Sequence, residues 1–252
     1  MTNISRSNKI NIIIKDLSEG ASLDFFYERE LICWSDSSLE MIQCIRYNGT
    51  HTGEKITVVN SSLISPDGLA CDWFTDKLYW TDGEKNRIEV TSIDGRNRKV
   101  LFWNDIYQPR AIALAPMEGY LFWTDWGDVP KIERASMDGD PNTREIIVSD
   151  DIFWPNGLTI DYENRLVYWA DGRLHFIAVM DYHGGNRRRL INRDLDYPFA
   201  ITFFDNRLYW TDWKTWCIHS YDINQPQSHP RELFHGEYIP GSKYILVYSI
   251  TT

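Results

Sequence analysis

The 252-residue sequence predicts an all-β chain built from propeller blades, on three observations. A four-residue element recurs as CWSD (33–36), YWTD (79–82), FWTD (122–125), YWAD (168–171) and YWTD (209–212). Its tryptophans, Trp34, Trp80, Trp123, Trp169 and Trp210, follow one another at steps of 46, 43, 46 and 41 residues. Each repeat carries four strand-like segments, with no sustained helical periodicity. Four strands on such a period mark a blade rather than a solenoid repeat.

The first segment of each repeat is a proline-led run: PDGLACDW (66–73), PRAIALAP (109–116), PNGLTIDY (155–162) and PFAITFFD (198–205). In the first repeat EGASLDFF (19–26) takes this place without the proline. The recurring element is the second strand. In KLYW, Leu78 and Trp80 alternate with Tyr79, so both faces are apolar, as a sheet stacked between two others requires. The third strand is RIEVTSIDG (87–95), KIERASMDG (131–139) or FIAVMDYHG (176–184), ending in turn residues. A short basic-apolar run, RKVLF, REIIV, RRRLI or RELF, supplies the fourth.

Composition agrees. Hydrophobic residues are 43% and aromatic residues 14%, with 11 Trp and 14 Tyr, which suits pleated, well-packed surfaces. The formal charge is −10 and no basic cluster tracks phosphates, which argues against nucleic acid and leans towards basic protein ligands. No run reaches the length of a membrane-spanning helix. The start, MTNISRSNKINIII, lacks the pattern of a secretory signal. Sequons stand at Asn3, Asn48 and Asn60, the last two being candidate glycosylation sites. The four cysteines, Cys33, Cys44, Cys71 and Cys217, contain no CxxC pair, which speaks against zinc-ribbon and thioredoxin chemistry.

The five motif copies, each after a P-x-G-L/I-like strand and before a hairpin ending in D-G, resemble the YWTD repeats of the low-density lipoprotein receptor family. The resemblance runs from about residue 12 to 235. LISPDGLACDWFTDKLYWTDGEKNRIEV, KVLFWNDIYQPRAIAL, YLFWTDWGDVPKIERASMDG and IFWPNGLTIDY resemble the first propeller of the Wnt co-receptor branch of that family. The resemblance implies a six-bladed YWTD-type β-propeller with four-stranded blades. Here it is expected as five complete blades (18–236) plus an incomplete closing blade built from residues 1–17 and 237–252. INIIIKDL and KYILVYSITT would each supply one strand of that blade. The EGF-like module that follows such propellers has no counterpart in the sequence. The chain is therefore expected to be a fragment of a larger receptor ectodomain, extracellular on a single-pass plasma-membrane protein. Closure with five blades is the rival expectation.

In an antiparallel four-strand meander, the loops joining strand 4 to the next strand 1 and strand 2 to strand 3 open on one face. The first class holds Asp67, Arg110, Trp154, Asn156 and Phe199; the second holds Glu40, Glu84, Trp126, Asp128, Arg173 and Trp213. Aromatic and arginine enrichment is how binding hot spots look. Trp126 and Trp213 lie one residue past the motif, where the other repeats have Ser37, Gly83 and Gly172, so packing does not demand an indole there. A rim aromatic covering its neighbour is the plainer reading. By resemblance, Trp154 and Asn156 match the co-receptor site that grips an Asn-x-Ile peptide of secreted antagonists. A simple turn at Pro155-Asn156-Gly157 is the alternative. Glu19, Glu40, Asp67, Glu84 and Asp128, beside Arg110 and Arg173, are expected to steer a basic ligand. The motif acids are read as scaffold, and Arg187-Arg188-Arg189 as protection of an outer strand edge.

Cys33 and Cys44 sit opposite one another if strands 2 and 3 pair, which allows a cross-strand disulfide, with buried thiols as the other reading. Cys71 and Cys217 are expected to be free.

The expected function is extracellular binding of Wnt proteins and of secreted antagonists of the Dickkopf or sclerostin type, with Frizzled in a signalling complex. No enzyme activity, cofactor or metal is expected. A lipoprotein- or matrix-binding propeller is the second reading, and a metal-dependent propeller lactonase a remote third.

Overall fold

A computed structural model describes residues 13–14 and 16–235. Among the described residues, twenty strands form five separate four-stranded antiparallel sheets, each a simple meander. The first contains β1 (Gly20–Phe26), β2 (Leu31–Asp36), β3 (Met41–Tyr47) and β4 (Thr52–Val59). The second has β5 (Pro66–Asp72), β6 (Lys77–Asp82), β7 (Arg87–Ser92) and β8 (Lys99–Phe102). In the third are β9 (Pro109–Ala115), β10 (Tyr120–Asp125), β11 (Lys131–Ser136) and β12 (Glu145–Val148). The fourth comprises β13 (Pro155–Asp161), β14 (Leu166–Asp171), β15 (Phe176–Asp181) and β16 (Arg188–Ile191). The fifth is β17 (Pro198–Phe204), β18 (Arg207–Asp212), β19 (Cys217–Asp222) and β20 (Arg231–His235).

The first strands, β1, β5, β9, β13 and β17, pack side by side in that order around a channel of about 620 Å³. The sheets are therefore propeller blades, and each proline-led segment is an inner strand. Among the described strands the succession runs from β1 to β17, and no comparable packing joins β17 to β1. The segments expected to close a further blade, 1–17 and 237–252, fall almost wholly outside the described residues. Within the first of them, Ile13 and Ile14 pack beside Trp34, on the face of the first blade that no other described blade covers.

Period-2 alternation in the motif strand explains how neighbouring blades adhere. The first motif residue faces the following blade: Tyr79 packs with Ile112, Leu114 and Trp123, and Tyr168 with Ile201 and Trp210. The motif tryptophan faces the preceding blade, as Trp80 packs with Cys33, Ile42 and Val58. All five motif tryptophans are fully buried. Burying one aromatic side chain contributes on the order of 2–3 kcal/mol, so each inter-blade seam is largely an apolar one.

The motif hydroxyl and acid do a different job. Thr81 accepts the Gly68 N–H (2.9 Å) and donates to the Arg110 carbonyl of the next blade (2.5 Å). Asp171 accepts the N–H groups of Phe153 and Trp154 from the loop before β13 and of Arg173 and Leu174 from the loop after β14. Asp212 makes the same set with Asp196, Tyr197, Lys214 and Thr215. Each buried carboxylate thus ties together the two loops that its blade presents on one face, satisfying N–H groups that burial would otherwise leave unpaired.

Polar side chains also bridge inner strands. Asp24 accepts the N–H of Cys71 across the gap between the first and second blades at 2.7 Å, besides its own neighbour Phe25. Burial pushes its carboxyl up to about 6 against the opposing pull of those donors. Thr159 accepts the Phe203 N–H in the same way between the fourth and fifth blades. Cys33 and Cys44, directly opposite in β2 and β3 with Cα atoms 4.0 Å apart, are joined by a disulfide. Cys71 and Cys217 are buried thiols.

At the outer strand β16, Arg187 just before the strand and Arg189 within it pair with Asp150 and Asp151 of the adjoining loop, and Arg189 also lies over the Phe176 ring. These arginines cap the blade's margin as well as charging its edge.

Candidate ligand-binding face

The loops tied by the motif acids open at one mouth of the channel, where the third, fourth and fifth blades bring their aromatic residues together. Trp126 stacks on Trp154 with centroids 6.2 Å apart. Trp154 meets Tyr197 at 5.9 Å, and Tyr197 stacks on Trp213 at 5.7 Å. Trp213 lies flat on Phe199 at 4.0 Å. The Arg110 guanidinium closes the circuit, 4.2 Å from the Trp126 ring and 4.8 Å from Phe199. Arg173 covers the outer side of Trp154 at 5.5 Å and Phe153 at 6.0 Å. Cation–ring contacts of this kind contribute about 0.5–1 kcal/mol each when exposed and more when desolvated.

Trp126, Trp154, Tyr197 and Trp213 are half-buried, presenting part of each ring to solvent. Trp126 is held by its indole N–H, which donates to the Pro155 carbonyl at 3.3 Å. Phe199, expected on the ligand surface, is instead only 5% exposed and forms the floor beneath Trp213. Asn156 is 4% exposed; its Nδ2 donates to the Pro198 carbonyl at 2.9 Å. Its Oδ1 is buried and without a hydrogen-bond partner among the described residues. Burial raises the Tyr197 hydroxyl, opposed by the Arg110 charge and by the Asn156 amide beside it.

A size rule organises this mouth. In blades two to five the second residue of the inner strand lies under the first residue after the motif. Where that upper residue is glycine, the lower one is polar: a Cβ on Gly83 would fall 2.3 Å from Asp67 Oδ2. Where it is tryptophan, the lower residue stacks against it, as Arg110 does with Trp126 and Phe199 with Trp213. Blades two and four therefore leave notches, and blades three and five raise indoles between and beside them.

The acids expected at this end are more dispersed. Asp67 is half-buried, its Oδ2 accepting from the Ser65 hydroxyl at 3.1 Å. Burial raises its carboxyl, while Arg110 lowers it and Asp82 and Glu84 raise it further. Glu84, Glu40 and Asp128 are exposed on their loops, and Glu40 adopts a left-handed backbone with φ 50°. Sequence reasoning missed Phe153 as a member of the aromatic array, and it placed Tyr197 on this loop class without counting it among the candidate site residues. Their position just ahead of a Pro or Trp in the same loop class was the available signal. Asn48 and Asn60 are exposed, and the Asn48 Oδ1 accepts from the backbone N–H groups of Thr50 and His51 and from the Thr50 hydroxyl.

The family model for the low-density lipoprotein receptor repeat class B matches residues 30–73, 76–114, 119–162 and 165–204, more than half of the chain. The chain belongs to this family. Class B relatives include low-density lipoprotein receptor-related protein 5 of Mus musculus, 51% identical over 209 residues, covering 83% of this chain and 13% of that protein. Vitellogenin receptor Yl of Drosophila melanogaster is 38% identical over 194 residues, covering 77% of this chain and 10% of the receptor. The chain thus spans about a tenth of the length of these relatives. Among solved structures, the class B fold here matches a chain of a nidogen/laminin complex with a TM-score of 0.77 and 35% identity. That match covers 85% of this chain and 78% of the other.

Proposed function

We propose that the chain is the ligand-binding propeller of an extracellular receptor in the Wnt co-receptor branch, anchored through other parts of the full protein. The observation that carries this reading is the half-buried array of Trp126, Trp154, Tyr197 and Trp213, braced by Arg110 and Arg173. Rigid aromatic rings already in their contact positions lose little entropy on binding, and they suit a protein ligand. The likeness to low-density lipoprotein receptor-related protein 5 supports the choice of branch. Its expected ligands are Wnt proteins and secreted antagonists of the Dickkopf or sclerostin type, with Frizzled joining a signalling complex.

Asn156 is the residue that would read an Asn-x-Ile segment. Its unmet Oδ1 is an acceptor that a ligand carboxamide reaching beneath Tyr197 would satisfy. Glu40, Asp67, Glu84 and Asp128 would guide a basic ligand towards the array. A binding role is also supported by the motif carboxylates, since Asp171 and Asp212 are each occupied by four backbone N–H groups rather than aimed at a substrate.

Closure by a sixth blade belongs to the same reading. Trp34 on the first blade and Tyr209 on the fifth carry the two motif faces that no described blade covers, and each has the orientation that packs against a neighbour elsewhere. A blade inserted there would complete the ring.

The likeness to Vitellogenin receptor Yl and to the nidogen/laminin structure favours a second reading, a lipoprotein- or matrix-binding propeller. Calorimetric titration with an Asn-x-Ile peptide separates the two. The expected result is saturable binding that Asn156→Ala weakens by roughly 1–3 kcal/mol, the cost of an unpaired buried amide. Equal affinity for both proteins would remove Asn156 from the site, and no peptide binding by either would favour the second reading.

A further inference from the structure

We propose that the outer edge of the fifth blade holds a divalent transition-metal site, best suited to zinc, made by Cys217, Glu232 and His235. Their ligand atoms, one thiol sulfur, one carboxylate oxygen and one ring nitrogen, all lie within 4.8 Å of one another, the one such group of three among the described residues. Cys217 Sγ is 3.0 Å from His235 Nδ1, and His235 Nδ1 is 3.9 Å from Glu232 Oε1. A tetrahedral zinc ion with ordinary bond lengths sets its ligand atoms roughly 3.3–3.6 Å apart, so a small side-chain adjustment suffices.

The backbone brings these residues together by a specific device. Cys217 pairs with His235 and His219 with Glu232 across β19 and β20. Glu232 and His235 are three apart, and in a regular strand they would point to opposite faces. The ladder slips between Ile218 and His219, leaving Leu233 as an extra residue, and this bulge turns both ligands onto the face that carries Cys217. All five blades have a bulge at this register.

The fold does not ask for these residues. The register of Cys217, opposite the motif acid, is Met41, Arg87, Lys131 and Phe176 in the other blades. In blades two and three the corresponding region holds ion clusters, Arg87–Glu89–Arg98 and Lys131–Glu133–Arg144, with an arginine over the motif tryptophan. In blade five His219 takes over that stacking role on Trp210 at 5.4 Å, and the positions beside it are free to carry soft donors.

Access and chemistry also fit. Cys217 is 2% exposed and forms the base of the site, while the Glu232 and His235 side chains are 55% and 66% exposed and open to solvent. Thiolate, imidazole and carboxylate together select zinc over calcium or magnesium, leaving a fourth position for water. The thiol donates to the Thr215 carbonyl at 3.2 Å. Zinc takes the sulfur as thiolate, so the proton on Cys217 leaves to solvent as the metal–sulfur bond forms.

The test uses the whole chain, titrated with zinc by calorimetry and with cobalt(II) by absorption. One ion per chain is expected, with a thiolate-to-cobalt charge-transfer band and release of one proton. Cys217→Ser should abolish the band, and His235→Gln should weaken zinc binding at least about 100-fold, more than the 10–100-fold that outer partners of a metal ligand cost. His229→Gln, on the neighbouring surface, should change neither. Absence of the band in the native chain, or its persistence with unchanged affinity in His235→Gln, overturns the site. His235 is exposed, so that variant decides the matter even if Cys217→Ser fails to fold.

Discussion

Gly172 lies directly against Asn156: a Cβ on the glycine would fall 2.3 Å from the asparagine Nδ2. The flexible carboxamide can yield only by breaking its hydrogen bond to the Pro198 carbonyl. Gly172→Ala is therefore expected to cost about 1–3 kcal/mol by overpacking. Adding Asn156→Ala should recover much of that, giving a coupling of about 0.5–3 kcal/mol in a double-mutant cycle. Additive effects on urea unfolding would mean that the two residues do not compete for the same space.

The motif acid of the fourth blade positions Trp154 through its backbone. Asp171→Asn keeps the shape but replaces one carboxylate oxygen by an amide that cannot accept. Loss of charge-assisted bonds to the two loops is expected to lower stability by roughly 3 kcal/mol. Peptide affinity should fall with it, although residue 171 touches no ligand. Thermal unfolding and calorimetry on the same variant check both effects.

How much of this was legible in the chain differs between fold and face. The five described blades and their strand order follow from the spacing of Trp34, Trp80, Trp123, Trp169 and Trp210, because each seam needs the same wedge. The sixth, closing blade falls on segments outside the described residues, and the inward position of the proline-led strands came only from the structure. The meeting of Trp126, Trp154 and Trp213 follows from loop topology. What sequence could not show is depth. Asn156 and Phe199 sit on the expected loops, but the chain bends them under Gly172 and Trp213. The Cys217, Glu232 and His235 trio was hidden for another reason, since a bulge reverses the face parity that alternation assigns.

Asp24 should leave a signature in the pH dependence of stability. Its folded pKa, about 6, stands above the unfolded value of 3.8, so the native state holds the proton longer. Stability from this group is full below pH ~4, falls as pH rises to about 6 and then levels off, a change of about 3 kcal/mol at most. Asp24→Asn retains an acceptor for the Cys71 N–H and should remove that decline. Thermal midpoints of both proteins between pH 4 and 7 make the comparison, and parallel curves would contradict it.

The Cys33–Cys44 disulfide closes a short segment, the two residues being 11 apart. In the chain-entropy account, replacing both by alanine costs about 3 kcal/mol, with some further loss from the emptied seam beside Leu69 and Trp80. Urea midpoints with and without reductant should show the native chain losing stability and the double-alanine variant unaffected by reductant.

Because Asp171 and Asp212 grasp only backbone N–H groups, they are indifferent to the side chains those loops display. Each blade is thereby a socket into which a different tip can be fitted without renegotiating the seams on either side. Recognition in such a protein can be rewritten one blade at a time, and neighbouring blades can specialise in opposite ways, one towards an indentation and the next towards a ridge.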